Sequence, residues 1–227
     1  MDTVSATVLD LATSDVRTLN TALHAAADGE RFRVLHPRGA HSVAVGIDRQ
    51  IDVEIEGHVG YYLAGMHQRG SVLVRGNAGP GAAENMMSGR VHIAGDASQS
   101  AGATAVGGLL VIDGSTGARC GIALRGADIV VGGDVGHVTG FMAQAGRIVV
   151  CGDAGDALGD SIYEARIYVR GTVASLGADC VQKPMRPEHL AELAELLAAA
   201  GRPERPEQFR RYGSARTLYH FDHDNEY

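Results

Sequence analysis

Seven glycines stand nineteen residues apart without a slip: Gly57, Gly76, Gly95, Gly114, Gly133, Gly152 and Gly171. Such fixed-period self-similarity marks a repeat architecture and limits the fold more than any other feature of the chain. Each glycine closes a short β-branched run, from VEIE before Gly57 to IYVR before Gly171. Four places before the glycine come Val53, Val72, Val91, Leu110, Ile129, Ile148 and Ile167. Two before it come Ile55, Val74, Ile93, Ile112, Val131, Val150 and Val169. All fourteen are aliphatic, and alternation with period two describes a half-buried strand.

More glycines keep the same clock. Gly60, Gly79, Gly117, Gly136 and Gly155 fall three places after the first, and Gly102, Gly121, Gly140 and Gly159 seven after it. Gly70, Gly89, Gly108 and Gly146 fall thirteen after it. At a corner, glycine supplies a positive φ or lets backbones approach closely. A strand every nineteen residues leaves no room for a full crossover helix, and identical corners on every unit argue against hairpins that reverse direction. Stacking the units in parallel satisfies the backbone and buries the aliphatic ladders. The expected fold is therefore all-β: one right-handed parallel β-helix of about seven coils. At ~4.8 Å per coil the rod would be roughly 34 Å long.

The flanks read differently, dividing the chain into residues 1–50, 51–180 and 181–227. Thr13 and Ser14 are candidate caps for a helix through Leu23, with Val16, Leu19 and Leu23 on one face. Phe32–Gly46 holds strand-like runs out of phase with the repeat, as a capping coil would. Pro187 opens a second helix that Gly201 ends, with Leu190, Leu193 and Leu197 as its apolar stripe. The tail, FRRYGSARTLYHFDHDNEY, is too aromatic for a disordered end and is expected to dock.

One row points beyond the coils. Val111, Val130 and Val149, three places before their corners, should face outward, where open water rarely leaves three aligned valines. Either the C-terminal helix of this chain covers them or a partner subunit does.

Composition narrows the function. The net charge is −7, with no basic stripe, which argues against nucleic acid. The N-terminus lacks the basic-then-apolar order of a signal peptide, and no run approaches the ~20 apolar residues of a membrane span. Cys120, Cys151 and Cys180 are odd in number and widely spaced, as expected of reduced thiols in a cytoplasmic protein.

Each candidate for chemistry has a plainer role. GDVGHV and GDAGDA lack the Lys-Ser/Thr of a phosphate loop, and corners account for their glycines. The cysteines fall at different places in the frame, unlike cluster ligands. His220, His223, Asp222 and Asp224 form the densest set of metal-ligand types, yet on a short acidic terminus. His58, His67, His92 and His137 read as surface or corner residues. Glu54/Glu56 and Asp153/Asp156 pair along the chain, the first as an outward strand face. The reading is of a chain without catalytic, cofactor or metal residues of its own.

GSTGARCG (Gly114–Gly121), GDVGHVTG (Gly133–Gly140) and GDAGDALG (Gly152–Gly159) each match GxxGxxxG. They resemble the repeat of the C-terminal β-helix domain of the glutamate synthase large subunit. The tail RRYGSARTLYHF and the N-terminal TSDVRTLNTALHAA are similar to the stand-alone β-helix subunit of N-methylglutamate synthase, also called methylamine–glutamate N-methyltransferase. Ser98 and Ala174 depart from the motif. The resemblance implies a scaffold subunit with two partners, one a glutamine-amidotransferase-like chain and the other a synthase chain carrying FMN and an iron–sulfur cluster. Val111, Val130, Val149, Arg211, Tyr212, Tyr219 and Phe221 are the candidate partner contacts. The β-helix subunit of formylmethanofuran dehydrogenase has similar coils and is the alternative; a homo-oligomeric binding module is another.

Overall fold

The computed structural model describes residues 6–216. Each β-branched run forms a strand: β1 (Thr7–Asp10), β2 (Arg31–Leu35), β3 (Asp52–Ile55), β4 (Ser71–Val74), β5 (Arg90–Ile93), β6 (Leu109–Ile112), β7 (Arg125–Val131), β8 (Ala145–Val150) and β9 (Arg166–Val169). All nine pair in parallel with their neighbours in sequence. From β3 onward the register follows the nineteen-residue period, so Val53, Val72, Val91, Leu110, Ile129, Ile148 and Ile167 lie in one column. That column and the one through Ile55 to Val169 are buried. A parallel β-helix of seven coils is the observed fold. No helix among the described residues is long and apolar enough to cross a membrane.

The run FRVLH is β2, and it pairs in register with β3; its spacing to β3 is longer than the repeat, which is why it falls out of phase. SVAVG is no strand. It is the turn of that first coil, with Ser42, Ala44 and Gly46 at positive φ. The sheet thus draws on residues from all three segments read in the sequence.

The corner glycines have one physical reason, with Gly57 the exception at φ +130°. At the others the backbone crosses directly over the coil before it. A Cβ on Gly152 would lie 2.6 Å from Gly133 C, and one on Gly136, three places after its corner, 2.6 Å from both Gly117 C and Ala118 N. Seven places after the corner the reason changes. Gly121 has φ +65°, and a Cβ there would lie 2.6 Å from Ile148 Cδ1, reaching across the thin interior. Small residues make the rod thin, and the opposing isoleucines fill it.

A third column two places after the corner (Val59, Ala78, Ala97, Thr116, Val135, Ala154, Val173) forms parallel bridges and faces inward. Between these columns, at the position that follows the corner glycine, runs a ladder of side-chain hydrogen bonds. Asp96 Oδ1 accepts from Ser115 N at 2.8 Å, Asp134 Oδ1 from Asp153 N at 2.8 Å and Asp153 Oδ1 from Thr172 N at 2.6 Å. His58, Asn77 and Ser115 supply the other rungs. Each side chain satisfies a backbone donor of the next coil, which is why a short polar residue follows the glycine.

These bonds favour ionised Asp153, and the Thr172 N–H holds its carboxyl below the ordinary 3.8. A lowered folded-state value contributes stability above pH 3.8, and that contribution is lost as pH falls through the folded value. The thermal midpoint is expected to fall between about pH 4 and pH 2. Asp153→Asn, which keeps the acceptor oxygen without titrating, should flatten that limb in a series of thermal melts; an unchanged limb would contradict this.

Helix α1 (Val16–Ala25) closes the first coil. Asp15, rather than Thr13 or Ser14, caps it by accepting from Thr18 N at 2.7 Å. Leu19 and Leu23 plug the open end, while Asn20 binds Ser42 O and Ala44 N. Val16 is half-buried.

Helix α2 (Pro187–Ala199) decides between the two readings of the valine row. Val111, Val130, Val149 and Tyr168 are fully buried under Leu193, Leu196, Leu197, Ala200 and Phe209, forming a second core outside the coils. The valines are therefore not open to a partner, because the chain's own helix removes them from water. Leu196 takes the place expected of Leu190, which is half-buried.

The tail corrects a further expectation. Strand β11 (Arg210–Ser214) pairs antiparallel with β9, placing Arg211 opposite Tyr168 and Tyr212 opposite Ile167. Strand β10 (Cys180–Lys183) adds outside it. Tyr212 is buried in the main core, and the Arg211 guanidinium donates to Pro184 O at 3.0 Å. Both residues thereby serve the cap of the rod, Tyr212 buried within it and Arg211 half-buried at its edge; an uncapped β9 would expose a row of unpaired backbone groups. Tyr219 and Phe221 lie outside the described residues.

Candidate partner-facing surfaces

Groups capable of chemistry mostly serve to hold coils together. Glu54 accepts from Arg75 at 2.6 Å and Glu56 from Arg33 at 2.9 Å, so this carboxylate pair is tied into charge-paired rungs between adjacent coils. Asp153 holds Thr172, and Asp156 accepts from Ser175 Oγ. His92 sits 2.9 Å from Asp113, and His58 accepts from the Asn77 N–H.

The thiols are buried, which pushes Cys120 up to about 12 and Cys151 and Cys180 up to about 11. Protonated thiols beneath the surface are poor nucleophiles and poor ligands. Cys180 ends the isoleucine column: a Cβ on Gly159 would lie 2.7 Å from its Sγ. His67 is no surface residue. It is fully buried, ten places after its corner, where the next coils place Met86, Ala105 and Leu124. Burial lowers its pKa and keeps the ring neutral, with Nε2 3.2 Å from Gly70 O. Among the described residues no three His, Cys, Asp or Glu side chains gather as metal ligands. His220, His223, Asp222 and Asp224 lie outside them.

A charged groove of ≈ 290 Å³ runs beside α2, lined by Asp128, Arg147, Glu164, Arg166 and Glu192. Arg147 grips Asp128 with two bonds of 2.7 and 2.6 Å, which hold its guanidinium charged. Glu192 accepts from Arg166 and from Tyr168 Oη. Burial and the neighbouring carboxylate raise the Tyr168 pKa, so the phenol stays a donor. Helix α2 is thereby fastened by paired charges as well as by leucines. The groove is a clamp in which Asp128, Arg147, Arg166 and Glu192 are paired with one another.

The long edge away from α2 is different. Met66 and Met142, nine places after their corners, stand exposed there, as do Met87, Val106 and Tyr163, eleven places after theirs. This run of five spans the rod, with the Arg216–Asp179 pair beside Met142 and Tyr163 at its end. The sequence held the signal: within the nineteen-residue frame these positions are outward, yet they carry large apolar side chains in several coils. Methionine-rich exposed rows mark protein contacts more often than chance scatter does.

No family model matches the chain. It is similar to Protein GlxC of Rhizobium meliloti (strain 1021), with 60% identity over 222 residues that cover 96% of this chain and 97% of that protein.

Proposed function

Because the chain belongs to the family of Protein GlxC, we propose that it is a cytoplasmic, non-catalytic subunit of a glutamate-synthase-like complex of the N-methylglutamate synthase type. In this reading a glutamine-amidotransferase-like chain and a synthase chain carrying FMN and an iron–sulfur cluster are held in register by the rod. The observation that carries it is the division of labour among side chains. Asp153, Glu54, Glu56 and the buried thiols serve the stack, whereas Met66, Met87 and Val106 offer an apolar row to another protein. The GxxGxxxG coils support the relation to glutamate synthase, since every glycine of Gly133–Gly140 answers a stacking or turn demand of that geometry. A rigid spacer that holds two active sites at fixed separation raises the effective concentration of one site's product at the other.

Co-expression with the chains encoded by neighbouring genes tests the proposal. The expected result is a three-chain complex whose glutamine-dependent turnover drops about tenfold or more when this chain is left out. Glutaminase activity and flavin reduction by the separate partners should persist. Met87→Asp should weaken co-purification about tenfold without lowering the thermal midpoint. Full assembly and turnover in the absence of this chain would refute the scaffold role.

A further inference from the structure

We propose that the exposed methionines of the apolar edge, Met66, Met87 and Met142, are sites of reversible sulfoxidation by hydrogen peroxide, and that their oxidation blocks assembly of the complex. The inference rests on the reading, given above, of this edge as a partner contact.

The edge holds its thioethers where packing of the rod does not call for them. Met66, Met87 and Met142 are 41%, 52% and 42% exposed, whereas Met86, next to Met87 in the chain, is fully buried in the interior. Met66 and Met142 also stand on left-handed backbone, with φ of +56° and +52°. That conformation is costly for any residue with a Cβ. In the other coils the same place holds Asn85, Thr104, Ala123 and Ser161. Asn85 Oδ1 accepts from Thr104 Oγ1 at 2.7 Å, and Ser161 Oγ donates to Asp160 Oδ1 at 2.8 Å. Short polar side chains there brace the stack. The two methionines are the long apolar exceptions in that row.

The chemistry follows from exposure. The thioether sulfur donates a lone pair to one oxygen of hydrogen peroxide and the O–O bond breaks. That oxygen stays on sulfur as a sulfoxide, and the other leaves as water with the proton shed by the first. Sulfur loses two electrons and peroxide gains them. On the free chain the new sulfoxide oxygen is hydrated, and Met86 in the interior is untouched, so the rod keeps its stability. Against an apolar partner surface the same oxygen would have to shed its water, which is costly without a donor in return. Contact also shields the thioethers, so peroxide acts on chains that have not yet assembled.

Dilute hydrogen peroxide on the purified full-length chain, read by peptide mass spectrometry, tests the site first. Met87 should oxidise at least about tenfold faster than its neighbour Met86, which fragment ions separate. Met66 and Met142 should follow Met87, with the thermal midpoint unchanged. The oxidised chain is then offered to the co-expressed chains of the neighbouring genes. Capture should fall about tenfold or more relative to the untreated chain. It should return after treatment with the two methionine sulfoxide reductases, one for each epimer. In the M66L/M87L/M142L variant, peroxide should no longer change capture from that variant's own untreated level. Undiminished capture by a chain oxidised at all three positions overturns the inference and leaves the scaffold reading standing. If the untreated chain captures neither partner, both fail together. Loss of capture that comes with a lower thermal midpoint or with oxidised Met86 would assign the effect to core damage and would equally overturn the inference.

Discussion

Gly136→Ala is expected to lower the stability of the rod by about 3–5 kcal/mol, a large loss for one methyl group. The φ of Gly136 is not in the left-handed region, so alanine would fit the local backbone. The obstacle is the coil beneath. The added Cβ would stand 2.6 Å from Gly117 C and Ala118 N and 2.8 Å from Gly117 O, all backbone atoms that cannot rotate away. Relief requires the two coils to part, which strains the Gly136 N–H bond to Thr116 O and the bridge between Thr116 and Val135. Gly29→Ala is the control: its φ is +91° with nothing within 4 Å of a Cβ, so it should cost only about 1 kcal/mol. Urea midpoints would rank the two, and hydrogen exchange should localise the first loss to β7 and β8. Equal midpoints would mean that the coils are not packed backbone on backbone.

The second large effect concerns the helix. Val130→Asp would place a carboxylate in a site with no exposure, beneath Leu193 and Leu197. A buried charge without a partner is expected to cost about 3–5 kcal/mol or to release α2 from the rod. Either result would show in the purified chain alone, as a lower thermal midpoint and faster proteolysis within Pro187–Ala199. If a partner subunit were the normal cover, the isolated variant would melt like the parent and only assembly would suffer. The experiment therefore separates self-cover from partner cover by energy instead of by contact.

Truncation is informative only if it respects the sheet. Removing the chain from Phe209 would strip buried Phe209 and Tyr212 together with β11, and so destroy the cap over β9. Ending it at Arg216 leaves every described strand in place.

The repeat was legible because it is local. A nineteen-residue period with aliphatics at two fixed places allows one economical way to satisfy the backbone, and the strand columns appear where that reasoning put them. The span of α2 was equally readable from Pro187 and Gly201. The glycines were only half legible: periodicity marked them, but it could not tell close approach at Gly136 from left-handed backbone at Gly121. The Asp ladder was missed because an acid after glycine looks like any solvated turn until the next coil's N–H is seen beneath it. His67 was missed for a similar reason, since nothing in its neighbours announces an inward position ten places after the corner.

Order along the rod, coil length and the inward columns follow from bonds between neighbouring repeats, which a linear text encodes directly. Which outward residues stay wet does not. Val130 disappears under Leu193, Tyr212 enters the sheet beside Ile167, and Met87 remains exposed. Those outcomes depend on segments far apart in the chain meeting with matching shape and charge, and only the folded molecule brings them together.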